Sequence, residues 1–143
     1  MSKRAYWLVK SEPAVYPYSQ LATEQRTQWT GIRSYEARNN LRAMKKGDLA
    51  LYYHSTGGKE LVGVAKVTQV AGPDPTAPGE DWAAVELEAV AALAQPVSLA
   101  EVKARKSLSK MQLVTRSRLS VCPVTDAEFE TVLKMSGTVL AAR

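Results

Sequence analysis

Hydrophobic positions along this chain fall into short blocks whose period changes, and the period assigns the elements. Tyr6, Trp7, Leu8 and Val9 are aromatic or branched and predict a strand over residues 6–10. Ser11, Glu12 and Pro13 end it, because proline cannot donate to a ladder. Residues 13–32 carry Pro13, Pro17 and Gly31 and read as irregular, with one short helix near 18–25. Ala37, Leu41 and Met44 then recur at helical spacing and predict a helix over 34–45, closed by Lys45, Lys46 and a capping Gly47. Residues 48–55 and 61–70 read as two strands joined at Thr56, Gly57, Gly58 and Lys59, a hairpin pattern.

Beyond residue 70 the punctuation changes. Gly72, Pro73, Pro75, Pro78 and Gly79 predict a loop over 71–81. Val85, Leu87 and Ala89 alternate with Glu86 and Glu88, the pattern of a half-exposed strand over 82–91. Ser98 with Glu101 and Thr125 with Glu128 have capping-box spacing and open two helices, the second running to Gly137. A further helical stretch is predicted near 108–114, and a short strand over 118–122 stopped by Pro123. Strands with helices between them predict a mixed α+β domain around a small, mostly antiparallel barrel.

Length and composition narrow the class. With 143 residues, the expectation is one domain over 1–143. One cysteine, Cys122, and one histidine, His54, exclude a disulfide scaffold and multi-histidine or cysteine-cluster metal sites. No cofactor motif is present: neither a phosphate-cradling nucleotide loop nor a glycine-rich dinucleotide fingerprint. No apolar run is long enough to span a bilayer, so no membrane partner is expected, and a cytoplasmic monomer is the default.

Charge adds direction. The net charge is +5, and residues 1–60 hold 10 basic against 5 acidic residues while residues 61–143 hold 9 of each. Most aromatics share the basic half: Tyr6, Trp7, Tyr16, Tyr18, Trp29, Tyr35, Tyr52 and Tyr53. Cations attract phosphate and rings stack on bases, so a nucleic-acid or nucleotide surface is one reading; a solvated basic face beside an aromatic core is the other.

Four features carry candidate chemistry. Tyr35, Arg38, Asn39 and Arg42 share one helical face, with Arg33 at its start. Guanidinium forks suit phosphate and an amide can read a base edge, but a solvated face with pairs such as Glu36 to Arg33 has the same spacing. Lys10, Ser11 and Glu12 stand where a strand ends, either presenting polar groups to a ligand or ending the strand as turn chemistry. Tyr53 and Ser55 share one strand face and His54 lies on the other, so His54 and Ser55 cannot act as base and nucleophile in a regular strand. Trp29, in an irregular loop, is a stacking platform or a peripheral core plug.

Together these segments resemble a known family. Tyr6 to Pro13, then Trp29, Gly31, Ile32, Arg33, Tyr35, Ala37, Arg38, Asn39, Asn40, Leu41, Arg42 and Met44, then Gly47, Asp48, Tyr53, His54 and Ser55, resemble the EVE domain. Pro96 to Leu99 and Arg118 to Val121 with Pro123 continue the match, and the thymocyte nuclear protein family is similar over essentially the whole chain. The resemblance implies a PUA-like fold, a curved barrel flanked by helices and related to the YTH domain.

It also implies a function: a non-enzymatic module that holds a modified base, for example a methylated or hydroxymethylated one, of DNA or RNA in a concave pocket. Trp29 would stack on the base, Lys10, Ser11 and Glu12 would line the floor, Arg33, Tyr35, Arg38 and Asn39 would approach from the helix with Arg38 near phosphate, and Tyr53, His54 and Ser55 would close the opposite side. Ser34 and Glu36 depart from the family's Asn and Gln, removing one amide and adding one charge. The rival readings are a nucleotide or small-molecule sensor of the same fold and a PUA-like nuclease.

Overall fold

The computed structural model describes residues 4–140. Six strands and five α-helices follow in the order β1 (Tyr6–Ser11), α1 (Tyr18–Glu24), β2 (Arg26–Trp29), α2 (Tyr35–Ala43), β3 (Leu49–His54), β4 (Glu60–Pro73), β5 (Ala83–Ser98), α3 (Leu99–Ala104), α4 (Gln112–Thr115), β6 (Val121–Val124) and α5 (Asp126–Ser136). A single 3-10 turn, Lys106–Leu108, separates α3 from α4.

The strands form one mixed sheet in the order β2-β5-β4-β3-β1-β6. Every pairing is antiparallel except β1 with β3. The fold is therefore α+β and mostly antiparallel, as the sequence predicts. The predicted barrel needs correction: among the described residues β2 and β6 each pair on one side, so the hydrogen-bonded sheet is open. It is nonetheless strongly curved, since α2 packs against both β5 and β6, which lie near opposite ends of the strand order. Register shifts along β4 and β5 supply bending, as bulges do. The largest lies between the Leu61–Val97 and Gly63–Ala92 pairs, where residues 93–96 loop out and Pro96 needs no ladder donor.

Sequence boundaries fail where strands stand at edges or carry bulges. The segment 13–32, read as irregular beyond one helix, contains β2; its polar Arg26, Thr27 and Gln28 hide the strand from a hydrophobic-pattern reading. β5 runs past residue 91 to Ser98, and β4 past residue 70 to Pro73. β6 includes Pro123 rather than stopping before it, which an edge strand tolerates. Gly47 does not cap α2, whose C-cap is Met44; at φ +95° it turns the chain into β3, and its N–H donates to Val67 O at 2.8 Å.

Both capping boxes expected from their spacing form, and a further cap starts α2. Ser34 accepts the Ala37 N–H at the start of α2, and Ser98 and Thr125 form complete capping boxes with Glu101 and Glu128. One core fills the concave side, with Leu8, Leu21, Leu41, Leu51, Tyr52, Leu87 and Phe129 fully buried. Tyr6 of β1 stacks on Phe129 of α5 with ring centroids 4.2 Å apart. Buried Asp48 staples the start of β1, accepting from Trp7 Nε1 at 3.0 Å and from the Ala5 and Lys45 N–H groups. No described helix is long and apolar enough to cross a membrane.

Candidate functional site

The parallel pairing of β1 with β3 and the edge position of β2 place three chain segments around one cavity of about 430 Å³. The end of β1 contributes Lys10, Ser11 and Glu12; the turn after it, Val15 and Tyr16; and β2 with the following loop, Thr27 to Ile32. Four of the predicted ligand residues, Lys10, Ser11, Glu12 and Trp29, thus meet in one hollow.

Each is held in a definite state. Trp29 is 7% exposed, its indole braced edge-on by Tyr16 and Tyr52 at centroid distances of 6.4 and 5.4 Å. It is therefore both a core residue and a cavity wall, the two roles the sequence left open. Ser11 Oγ donates to Tyr16 O at 2.9 Å, which spends its proton and leaves lone pairs to accept from a ligand. Tyr52 Oη donates to the same carbonyl at 2.5 Å, and burial raises its pKa, so it stays a donor. Lys10 Nζ donates to Ser117 O at 3.0 Å and Arg116 O at 3.4 Å, leaving one of three protons for a ligand. Burial lowers the Lys10 pKa, as desolvation of an ammonium does. Glu12 is exposed at the rim, and its backbone carbonyl accepts from Val15 and Tyr16 to shape the turn.

The helix residues form a second, separate cluster. Tyr35 is 70% exposed and stacks on Trp82 at 5.4 Å with an interplanar angle of 17°. The Arg38 guanidinium lies 5.0 Å from the Tyr35 centroid, and that of Arg33 lies 5.7 Å from the Trp82 centroid. Both cations are already engaged: Arg38 by Asp81 at 3.1 Å and by Asn39 Oδ1, Arg33 by Asp74 at 3.0 Å and by Thr76. Arg42 shares Asp81. Glu36 pairs with Arg116 across to the β6 side, not with Arg33. None of Arg33, Tyr35, Arg38 and Asn39 lines the base-sized cavity. The cluster nevertheless abuts its wall, because Asp74 also accepts the Gly31 N–H at 2.9 Å. Burial opposes ionisation of Asp74, but donors from Thr76, Gly31 and Arg33 outweigh it and hold the carboxyl below its ordinary range.

The predicted opposite wall is displaced. Tyr53 is 4% exposed and belongs to the core. The Ser55 N–H donates to Ser11 O at 3.0 Å, so its contribution is to hold the β1 end. His54 Nε2 accepts the Tyr18 N–H at 3.1 Å, and its ring borders another hollow of about 640 Å³ between α1 and the alanine-rich part of β5. Strand alternation explains the split, since neighbouring side chains point to opposite faces. Val15, Tyr16, Thr27, Gln28, Thr30, Gly31 and Ile32 also line the cavity: Gly31 and Ile32 stand in the family-like run and Tyr16 among the aromatics of the basic half, while for the others the only sequence signal is proximity to Trp29 and Glu12.

With the geometry in place, the class follows from comparison. The chain belongs to the EVE-domain family, whose profile matches residues 5–135. Among individual relatives, human thymocyte nuclear protein 1 is 34% identical over 165 residues, covering 92% of this chain and 73% of the relative. A crystal structure from Agrobacterium tumefaciens superposes with TM-score 0.91 at 47% identity, covering 94% of each chain. The human THYN1 protein in complex with 5-methylcytosine containing DNA superposes with TM-score 0.87 at 33% identity, covering 94% of this chain and 99% of that one. The YTH domain of Zygosaccharomyces rouxii MRB1 shares the fold alone, with TM-score 0.63 at 14% identity over 98% of this chain and 90% of that one.

Proposed function

We propose that this chain is a non-enzymatic nucleic-acid-binding module, a single EVE domain that takes a modified base of DNA or RNA into the cavity between the ends of β1 and β2. The cavity carries the reading. Its volume of about 430 Å³ lies within the roughly 300–1,000 Å³ of small-ligand sites, with one aromatic wall and a few converging polar groups. The complex of the human relative with 5-methylcytosine containing DNA supports the same class of ligand.

The chemistry is recognition of a planar heterocycle. A base leaves its stack only if stacking and hydrogen bonds repay the cost. An aromatic partner contributes about 1–3 kcal/mol per base. Glu12 and Ser11 Oγ accept from an exocyclic amine, and Lys10 donates its remaining proton to a carbonyl or ring nitrogen. A methyl mark adds about 0.8 kcal/mol of apolar burial, roughly a fourfold preference over the plain base. Binding without turnover fits the state of His54 and Cys122. His54 Nε2 is occupied by the Tyr18 N–H, and the Cys122 thiol is pushed up to about 11 by burial.

The test is equilibrium titration of matched single-stranded oligonucleotides, with 5-methylcytosine or cytosine at one position, at two salt concentrations. The expected result is a few-fold preference for the methylated strand, narrowed in Trp29→Phe, and affinity that falls with salt. Equal affinities, or tight salt-independent binding of free nucleosides with no gain from an oligonucleotide, would overturn the reading in favour of a small-molecule sensor.

A further inference from the structure

A different hollow, of about 470 Å³, lies where the start of β2 meets the outer face of β4 and β5 and the turn before β3. Four cations border it: Arg4, Arg26, Lys46 and Lys66. Two carboxylates also border it, so cations outnumber them four to two. Glu88 pairs with Arg26 at 2.8 Å, and Glu86 accepts the Thr68 hydroxyl at 2.7 Å. Lys46, Lys66 and Arg4 make no side-chain ion pair or hydrogen bond among the described residues. Arg4 Nη1 is buried and meets no acceptor among those residues. Three cations without a side-chain partner, from distant parts of the sequence, thus converge on one concave surface with a net positive charge, an arrangement that attracts an anion.

We propose that this hollow is a phosphate-binding site, and that it takes a backbone phosphate of the strand whose base occupies the Trp29 cavity. The second half rests on the base-binding reading above. Geometry links the two sites. Arg26 opens β2 at the basic hollow, while Thr27, Gln28 and Trp29 line the base cavity. Three residues of strand span roughly 10 Å, a step that a nucleotide or two of extended backbone can cover. β2 is an edge strand, so nothing in the sheet lies beyond it to block a chain running along it. Arg33 is held by Asp74 and the α2 cations Arg38 and Arg42 by Asp81, which makes Arg4, Lys46 and Lys66 the better-placed source of sequence-independent affinity.

The experiment measures oligonucleotide affinity against salt for the wild-type chain and the double variant Lys46→Gln/Lys66→Gln, using methylated and plain single strands. Loss of that one phosphate contact should flatten the slope of log K against log salt by about 0.7, the value per neutralised phosphate on single strands. The ratio between methylated and plain strands should not change. A slope equal to wild type would overturn the proposal. If the wild-type chain binds no oligonucleotide, the base-binding reading fails on its own, and inorganic phosphate becomes the probe. Saturable shifts of the Gly47 and Val67 amides, absent in the double variant, would then keep the site as one for free phosphate. Absence of such shifts would overturn it.

Discussion

His54 Nε2 lies 3.1 Å from the backbone nitrogen of Tyr18 and accepts its hydrogen bond, tying the end of β3 to the first turn of α1. Only the neutral ring can accept there. Burial lowers the His54 pKa from its ordinary 6.5, and nearby Glu60 offsets this in part. A base whose folded pKa is depressed gives stability that is complete above the unfolded value and is lost as pH falls below it toward the folded value. Urea unfolding at pH 7.5 and at pH 5 should therefore show lower stability in acid. His54→Ala should cost about 1 kcal/mol at pH 7.5 through loss of the acceptor and should reduce the acid sensitivity. An unchanged pH dependence in the variant would show that His54 does not titrate on this bond.

Gly63 is required by a ring. A Cβ built at this position would lie 2.5 Å from Cε1 of Tyr18. The Tyr18 hydroxyl donates to Val64 O at 2.8 Å, so the ring cannot retreat without breaking that bond. Gly63→Ala should destabilise the fold by about 1–3 kcal/mol as overpacking. Combining it with Tyr18→Ala, which removes the ring, should cost less than the sum of the two changes. Strict additivity in denaturant melts would contradict the assigned clash.

Asp81 pairs with two guanidinium groups at once, since Arg38 and Arg42 both reach it. Asp81 is exposed, so replacing it leaves no buried vacancy. Asp81→Asn should therefore leave stability within about 0.5 kcal/mol. It should strengthen oligonucleotide binding several-fold at low salt and steepen the salt dependence, because two cations become available to phosphate. Arg38→Ala in the presence of Asp81 should have a much smaller effect on the slope. Unchanged affinity in Asp81→Asn would remove α2 from the binding surface.

The legible part of this protein was the part governed by local chemistry. Capping pairs Ser98 with Glu101 and Thr125 with Glu128 located two helix starts because the cap is a contact between near neighbours in sequence. The gathering of Lys10, Ser11, Glu12 and Trp29 came through family resemblance, and the cavity unites all four. Spacing alone places Tyr35, Arg38 and Asn39 on one helical face. Its partners were not legible, because Asp74, Asp81 and Trp82 stand about 40 residues away and reach it only through the β4–β5 loop. β2 is illegible for the opposite reason: an edge strand with polar side chains carries no hydrophobic signal, though Thr27, Gln28 and Trp29 line the cavity. The single wall of Tyr53, His54 and Ser55 comes from the family resemblance, whereas strand alternation already puts His54 on the other face from Tyr53 and Ser55.

The central claim is that the base enters between the ends of β1 and β2, and amide chemical-shift mapping tests it most directly. The chain is titrated with a short single strand containing 5-methylcytosine. The largest shifts should fall on Lys10 to Glu12 and Thr27 to Ile32, the residues around the Trp29 cavity. Shifts concentrated instead on Tyr18, Ala22, His54 and Ala89 to Ala92, around the hollow beside α1, with the Trp29 cavity unaffected, would contradict the account.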